Sequence, residues 1–292
     1  MIYPGEVSQG SGFHFEGKSG ALSFIIIMLI LIPPFLLSGC IDDNKNSDDN
    51  TLVIDTDGDG IPDDIDEFPQ QPDYNFTITF LDDTKKENNS YTCSVLMSGD
   101  CAVILLRNTG LKDCNVILEA ESAAQAWKVS FQTSNISLPV SAVVPVVIFF
   151  NLSLSAKPQC AIKIKGTPVQ NPNFSAEMIL VCYLDTDNTG AAMPGDMVYV
   201  KYALYDENYT LIEDGGQLPL PVTAGQDPRY IDGFSLGVLG MYRAPSAIRL
   251  GEIKRIRVPP ELAYGTDPNS SSGLGGKTLI FELTRVNMRE VP

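Results

Sequence analysis

Histidine is almost absent from this chain. Its 292 residues include a single histidine, His14, which lies in a segment that we expect to be removed or to lie at a membrane. The rest of the chain then has no histidine, which excludes Ser-His-Asp catalysis, Cys-His catalysis and histidine-ligated zinc. No C-x-x-C pair occurs either, so neither a zinc ribbon nor a thioredoxin-like redox site is expected.

Positive charge is also scarce. Twenty Lys and Arg residues stand against 36 Asp and Glu residues, which gives a formal net charge of −16. Proteins that bind nucleic acid need a basic surface, so no nucleic-acid partner is expected. The composition favours a solvated acidic surface or cation binding. The length allows about two domains.

Long apolar runs are limited to one, at residues 21–37. Pro33 and Pro34 break this run, which is slightly short for a spanning helix of about 20 residues. It ends in Leu-Ser-Gly before Cys40, a pattern typical of a lipoprotein signal with Cys40 as the lipidated residue. The alternative is an uncleaved membrane anchor. Either interpretation makes residues 1–40 a signal or anchor and places the rest at the outer face of the cell membrane.

Residues 41–72 are predicted to form an acidic linker that contains a calcium-binding loop. Acidic residues alternate along residues 55–66, DTDGDGIPDDID, so that several oxygens can converge on one hard cation. The loop resembles the calcium repeats of thrombospondin type 3 and dockerin modules, although it ends in Asp rather than Glu and occurs once. A solvated acidic linker is the alternative. The predicted ligands of a structural Ca²⁺ are Asp55, Asp57, Asp59, the Ile61 carbonyl, Asp63 and Asp66.

Residues 73–187 are predicted to form a β-sandwich. Short apolar segments rich in β-branched residues are separated by turn residues, as in sandwiches. The segment resembles the immunoglobulin-like modules of archaeal and bacterial surface proteins, which implies a spacer or adhesion role. The predicted strands are 76–80, 102–106, 115–118, 127–131, 143–150 and 161–164.

Cysteines and glycosylation sequons support an exported protein. Five cysteines follow Cys40, and one or two disulfides are expected in an oxidising compartment, with the pairing left open. Seven N-x-[ST] sequons occur, which favours an exported, archaeal glycoprotein. They begin at Asn75, Asn88, Asn135, Asn151, Asn173, Asn208 and Asn269.

Residues 251–265, GEIKRIRVPPELAYG, organise the C-terminal part of the chain. Ile256 and Val258 alternate with arginines, which predicts a half-buried strand that the double proline ends. This run resembles the signature of FKBP-type peptidyl-prolyl isomerases. The resemblance extends to residues 195–202, to residues 230–241 and to a last strand at residues 278–283. It implies an α+β domain over residues 190–292, a bent antiparallel sheet on one short helix, within an otherwise mainly β protein.

The resemblance also implies a binding pocket with specific residues. It makes Phe234 the floor under a proline ring, Tyr202 and Phe281 the walls, and the Ile231 N–H and the Tyr264 hydroxyl the donors. It assigns further contacts with the substrate to Tyr230, Leu220, Leu274 and Asp214, with the acid left open between Glu213 and Asp214. Such a pocket needs no cofactor for catalysis.

Two functions follow from these expectations. The first is a surface-anchored prolyl isomerase that assists the folding of exported, proline-containing polypeptides. The second is a non-catalytic FKBP-like module that binds protein on a calcium-stiffened envelope stalk. The sequence departs from the family pattern at Ile212, where a wall aromatic is usual, and in the Ser/Gly-rich loop at residues 266–276.

Overall fold

The structure is a computed structural model, and it describes residues 54–58, 61–67, 69–83, 86, 90–97, 99–186, 190–216, 218–241 and 253–286. The chain divides into two compact units, Met1–Thr51 and Leu52–Pro292. The first unit, with the apolar run and Cys40, lies outside the described residues. In the described ranges, no helix is both long and apolar enough to cross a membrane.

Nine strands form the N-terminal part of the described chain. They are β1 (Phe76–Phe80), β2 (Ser90–Leu96), β3 (Asp100–Asn108), β4 (Cys114–Ser122), β5 (Trp127–Phe131), β6 (Asn135–Leu138), β7 (Val143–Leu152), β8 (Gln159–Pro168) and β9 (Ala176–Asp185). They make a four-stranded sheet in the order β1-β3-β7-β5 and a five-stranded sheet in the order β2-β9-β8-β4-β6. The prediction of a mainly β protein is confirmed.

The two sheets enclose one apolar core. Trp127, Phe76 and Phe150 are among the largest fully buried side chains, and they share this core with residues of the five-stranded sheet such as Ile162 and Leu180. Each inward-facing side chain alternates with an outward-facing one, as sheet-on-sheet packing requires. We call this pair of sheets the sandwich. Its immunoglobulin-like character stays a prediction.

Strand β3 is buried on both faces. Ala102, Ile104 and Leu106 belong to the core of the sandwich, whereas Val103 and Leu105 belong to a second core that is shared with the C-terminal part of the chain. A strand that is covered on both sides reads as a continuous apolar run rather than an alternating one. This explains the uninterrupted sequence AVILL at residues 102–106.

The C-terminal part is an α+β domain. Its elements are β10 (Met197–Asp206), β11 (Leu211–Asp214), β12 (Leu220–Thr223), helix α1 (Asp232–Gly237), β13 (Ile253–Val258), a 3-10 turn (Pro260–Leu262) and β14 (Leu279–Arg285). The sheet order is β11-β10-β14-β13, and β12 also pairs with β10. All pairs are antiparallel. Helix α1 packs against β13, and all of its residues after Asp232 are buried.

The sandwich covers the β13 edge of the C-terminal sheet. The segment after β1 runs beside β13, where Asp82 forms an antiparallel bridge with Ile256. The N–H of Asp83 donates to the carbonyl of Arg255 and the N–H of Arg257 donates to the carbonyl of Leu81, both at 2.9 Å. This pairing covers an edge strand that would otherwise expose its backbone. Together with the shared core, it joins residues 73–187 and 190–286 into one body.

Candidate functional site

Four aromatic rings, from β10, β14, α1 and the segment before α1, meet on one side of the C-terminal sheet. Phe234 of α1 lies 5.5 Å from Tyr202 of β10, 5.3 Å from Tyr230 and 5.4 Å from Phe281 of β14, measured between ring centroids. Tyr202 and Phe281 are 6.2 Å apart. The contacts of Phe234 with Tyr202 and Phe281 are edge-to-face, an arrangement that aromatic pairs prefer. Phe234 is 3% exposed and is the common neighbour of the other three.

A cavity of about 230 Å³ opens in front of these rings. Eight of its lining residues were predicted from the sequence to contact the substrate, if Glu213, which was left open with Asp214, is counted. The other two are Leu204 and Arg229. The lining residues are Tyr202, Leu204, Glu213, Leu220, Arg229, Tyr230, Ile231, Phe234, Tyr264 and Phe281. Two larger cavities lie at the junction of the sandwich and the C-terminal domain and are lined largely by polar and charged side chains.

Two hydrogen-bond donors face the cavity. Tyr264, which follows the 3-10 turn, is 39% exposed, and Ile231 immediately precedes α1 in an extended conformation. Among the described residues, neither the Tyr264 hydroxyl nor the Ile231 N–H has a hydrogen-bond acceptor. Both groups are therefore available to a carbonyl oxygen that enters the cavity.

Tyr202 is hydrogen-bonded within the wall of the cavity. Its hydroxyl donates to Oε1 of Glu213 at 2.7 Å. Burial, and then this hydrogen bond, raise the pKa of Tyr202 to about 12. The phenol therefore keeps its proton at neutral pH, and the carboxylate of Glu213 provides the polar part of the rim.

The rim beside Tyr230 is held by an ion pair. Asp227 is buried and accepts hydrogen bonds from the Thr223 N–H and from the guanidinium of Arg229, which lowers the pKa of its carboxyl group far below the usual range. The guanidinium also lies 5.4 Å from the ring of Tyr230, whose hydroxyl donates to the Pro221 carbonyl. These contacts fasten the segment before α1 to the end of β12.

Two of the predicted substrate contacts lie outside the lining of the cavity. Asp214 is exposed and accepts a hydrogen bond from the Gly216 N–H, whereas its neighbour Glu213 lines the cavity. Leu274 is partly buried against the same core as Phe234 but is not a lining residue. The sequence also missed Leu204, which pairs with Glu213 across β10 and β11, and Arg229.

The predicted calcium loop is only partly described. The carboxylate of Asp63 accepts hydrogen bonds from the N–H and the hydroxyl of Thr56, and Asp55 accepts one from the Gly58 N–H. In the described stretches 54–58 and 61–67, no three acidic side chains lie close enough together to hold a metal ion. Asp59, the central predicted ligand, lies outside the described residues. Calcium binding stays a prediction.

The five described cysteines are free thiols. Cys93 and Cys182 approach each other, with 3.1 Å between their sulfur atoms. Cys40 lies outside the described residues, and its lipidation stays a prediction.

A short helix packs against an antiparallel sheet, and an aromatic cavity lies between them. The model of the FKBP-type peptidyl-prolyl cis-trans isomerase family matches residues 188–285, about a third of the chain. The chain therefore carries an FKBP-type domain at its C-terminal end.

Solved structures give weaker likenesses. AtFKBP13 is 25% identical over 34% of this chain and 84% of its own, with a TM-score of 0.27. The PapD-like domain 7 of human CEP192 is 12% identical over 40% of this chain and 89% of its own, also at 0.27. The periplasmic chaperone SfaE is 8% identical over 63% of this chain and 91% of its own, at 0.26. At these scores the likenesses carry no weight for fold or function. No curated protein matches the chain.

Proposed function

We propose that the FKBP-type domain is a peptidyl-prolyl cis–trans isomerase. The observation that carries the proposal is the cavity floored by Phe234, with two open donors, the Tyr264 hydroxyl and the Ile231 N–H, at its rim. Proline is the ligand that suits such a cavity, because its ring is small and apolar while the carbonyl oxygens beside it accept hydrogen bonds. The volume of about 230 Å³ is below the roughly 300–1,000 Å³ of sites for drug-sized ligands.

The chemistry needs no acid, base or cofactor. Rotation about a peptide bond meets a barrier of about 18–20 kcal/mol, and exchange at an X-Pro bond takes tens to hundreds of seconds. The twisted amide in the transition state has lost resonance and is less polar than the planar ground state. An apolar cavity that excludes water binds the twisted form better than the planar form, and this difference lowers the barrier.

Eight of the ten lining residues have a role in this mechanism. Phe234 contacts the proline ring from below, and Tyr202 and Phe281 confine it from the sides. The Ile231 N–H and the Tyr264 hydroxyl hold the carbonyl oxygens of the substrate, so that the chain on one side of the amide is fixed while the other rotates. Leu220 and Tyr230 extend the apolar surface under the neighbouring residues, and Glu213 orients Tyr202.

We further propose that the protein works outside the cytoplasm on exported, proline-containing polypeptides. Support comes from the apolar run before Cys40, the acidic loop at residues 55–66 and the sequons. Lipid attachment at Cys40 or an uncleaved membrane segment would hold the protein at the membrane, and Ca²⁺ bound at Asp55, Asp57, Asp63 and their neighbours would stiffen the linker.

The alternative is a domain that binds proline-containing chains without turnover. The departure at Ile212 favours it, because an exposed aliphatic residue stands where an aromatic wall is usual in the family. The refolding of a denatured protein with one slow X-Pro phase separates the two functions. A catalyst shortens the slow phase in proportion to its concentration, and Tyr264→Phe weakens the effect. A binder leaves the slow phase unchanged or lengthens it.

A further inference from the structure

Three cysteines lie side by side on neighbouring strands of the five-stranded sheet. The parallel pairing of β2 with β9 sets Cys93 opposite Cys182. The antiparallel pairing of β8 with β9 sets Cys160 opposite the same Cys182. All three side chains belong to the core of the sandwich or pack against it. Neighbouring strands lie about 4.7–4.9 Å apart, within the Cα separation that disulfides span.

One of these two pairs is already in contact. The sulfur atoms of Cys93 and Cys182 are 3.1 Å apart, about 1 Å more than the bond length of a disulfide. The sulfur of Cys160 instead contacts the Ser122 hydroxyl at 3.4 Å and the Ala161 carbonyl at 3.5 Å. The sulfur of Cys93 is therefore turned towards Cys182, whereas the sulfur of Cys160 is turned towards oxygen atoms.

Solvent reaches the contacting pair from one side only. Cys93 is partly exposed and lines a cavity of about 420 Å³ between the sandwich and the C-terminal domain. Cys182 is fully buried behind it. The same cavity is lined by a second thiol, Cys101, whose sulfur donates to the Ala192 carbonyl at 3.4 Å. A small disulfide compound that enters the cavity meets Cys93 before it meets Cys182.

We propose that Cys93 and Cys182 form a disulfide that joins β2 to β9, and that the cavity is the route by which the oxidant arrives. The oxidant is a low-molecular-weight or protein disulfide. The Cys93 thiolate attacks one sulfur of the oxidant, which gives a mixed disulfide and releases one thiol. The Cys182 thiolate then attacks the Cys93 sulfur and releases the second thiol. Two S–H bonds are lost, one S–S bond forms, and two electrons and two protons pass to the oxidant.

The environment of Cys93 makes its reaction with an oxidant slow. The hydrogen bond with Cys182, and then burial, raise the pKa of the Cys93 thiol well above its usual value. The Cys93 thiol therefore keeps its proton at neutral pH, and its exchange with a disulfide depends on a minor thiolate population. The pair belongs to a structural bridge rather than to a fast redox catalyst.

The bridge has a clear effect on stability because the two residues are 89 positions apart. A cross-link over such a distance restricts the unfolded chain strongly. It also fixes β2, an edge strand that is joined to its sheet only through β9. We expect oxidation to raise the Tm by roughly 5–15 °C.

Peptide mapping tests the pairing directly. The full chain is incubated with oxidised and reduced glutathione, its free thiols are blocked with N-ethylmaleimide, and it is digested with trypsin without reduction. Cys93 and Cys101 fall on the tryptic peptide 87–107, Cys160 on 129–163 and Cys182 on 166–201. The expected product is peptide 87–107 linked to peptide 166–201, formed by wild type and by the control Cys101→Ala but not by Cys93→Ala.

Three results would overturn the proposal. The first is a link between peptides 129–163 and 166–201, which assigns Cys160 as the partner. The second is N-ethylmaleimide on both Cys93 and Cys182 after full equilibration with oxidised glutathione. The third is a Tm that oxidation does not raise in wild type, or raises equally in Cys93→Ala. Peptide mapping of the wild-type chain identifies the linked peptides even if a variant fails to fold.

Discussion

The ring of Phe234 meets the ring of Tyr202 edge-on, with 5.5 Å between the centroids and 80° between the planes. Phe234 comes from α1 and Tyr202 from β10, so this contact fixes the distance between the helix and the sheet at the base of the cavity. Because Tyr230 and Phe281 also contact Phe234, one side chain determines the shape of the floor.

Shortening Phe234 is therefore expected to reduce catalysis more than any other change in the lining. Phe234→Leu keeps an apolar side chain but removes the flat surface, and we expect kcat/KM to fall about tenfold, or by about 1.4 kcal/mol in the activation free energy. Phe234→Ala would also cost about 3–5 kcal/mol of stability. Phe76→Leu, in the core of the sandwich, is the matched control.

The control separates catalysis from folding. Phe76→Leu should lower the Tm and leave kcat/KM unchanged, because Phe76 lies in the other core. Equal losses of kcat/KM in Phe234→Leu and Phe76→Leu would show that the cavity has no special part in activity.

Asp100 makes the stability of the protein depend on pH. Burial raises its pKa to about 7, although its oxygens accept the N–H groups of Leu96 and Cys101. The unfolded chain releases this proton near pH 4. The folded state therefore binds the proton more tightly, and the stability that results is complete below pH 4 and is lost as the pH rises through about 7.

Asp100→Asn keeps the neutral form at every pH. We expect the difference in unfolding free energy between Asp100→Asn and wild type to increase, in favour of the variant, from pH 4 to pH 7. Urea unfolding at several pH values measures it. A difference that is constant across this range would show that folding does not raise the pKa of Asp100. Burial also raises the pKa of Asp82, so the stability of both wild type and Asp100→Asn keeps some dependence on pH.

Gly240 of the C-terminal domain packs closely against β3 of the sandwich. Its φ angle is +74°, and a Cβ atom there would lie 2.4 Å from the Cys101 carbonyl oxygen. Gly240→Ala is expected to cost roughly 3 kcal/mol or more, from the left-handed backbone and the clash together.

Gly216→Ala is the matched control, because Gly216 has a φ angle of +79° with no atom within 4 Å of the added Cβ. It should cost only about 1–2 kcal/mol. Chemical denaturation of both variants measures their losses of unfolding free energy. Equal losses would contradict the close packing of Gly240 against β3.

Arg107 of the sandwich holds the turn that carries Tyr264. Its two terminal nitrogens donate to the two carboxylate oxygens of Glu261 at 2.7 and 3.0 Å. Both side chains are partly exposed, so we expect a coupling energy of only about 1 kcal/mol. A double-mutant cycle with Arg107→Gln and Glu261→Gln measures it. If the pair also positions Tyr264, both single variants should raise KM. A coupling energy of zero would show that the pair stabilises neither the turn nor the protein.

Much of the C-terminal domain could be predicted because its signals are local. Residues 197–204 alternate in sequence and form β10, and the double proline ends β13 at Val258 as expected. In the sandwich, Phe76–Phe80 and Trp127–Phe131 were predicted with their observed bounds. The strands β2, β6 and β9 were missed. The buried residues Met178, Leu180 and Cys182 alternate along β9 and were an available signal.

The acid at the cavity could not be assigned from sequence. The pairing of β10 with β11 shifts by one residue between Leu204 and Tyr205. A shift of one residue exchanges the two faces of a strand, so that Glu213 rather than Asp214 lines the cavity. No residue type near Ile212 indicates such a shift.

The covering of the β13 edge also has no local signal. Leu81 and Arg257 are far apart in sequence, and the backbone groups that join them are the same in every residue. The prediction of separate domains at residues 73–187 and 190–292 therefore did not include their shared core. Val103 and Leu105 lie on β3 of the sandwich, yet they belong to the core of the C-terminal domain.

The cis–trans exchange rate of a short Phe-Pro peptide, measured by NMR in the presence of the full chain, decides whether the cavity is an active site. Catalysis predicts exchange cross-peaks at micromolar protein that Phe234→Leu reduces by about tenfold. Exchange that remains at the uncatalysed rate of tens to hundreds of seconds at high micromolar protein would contradict catalysis. Shifted peptide resonances without faster exchange would identify a binding module instead.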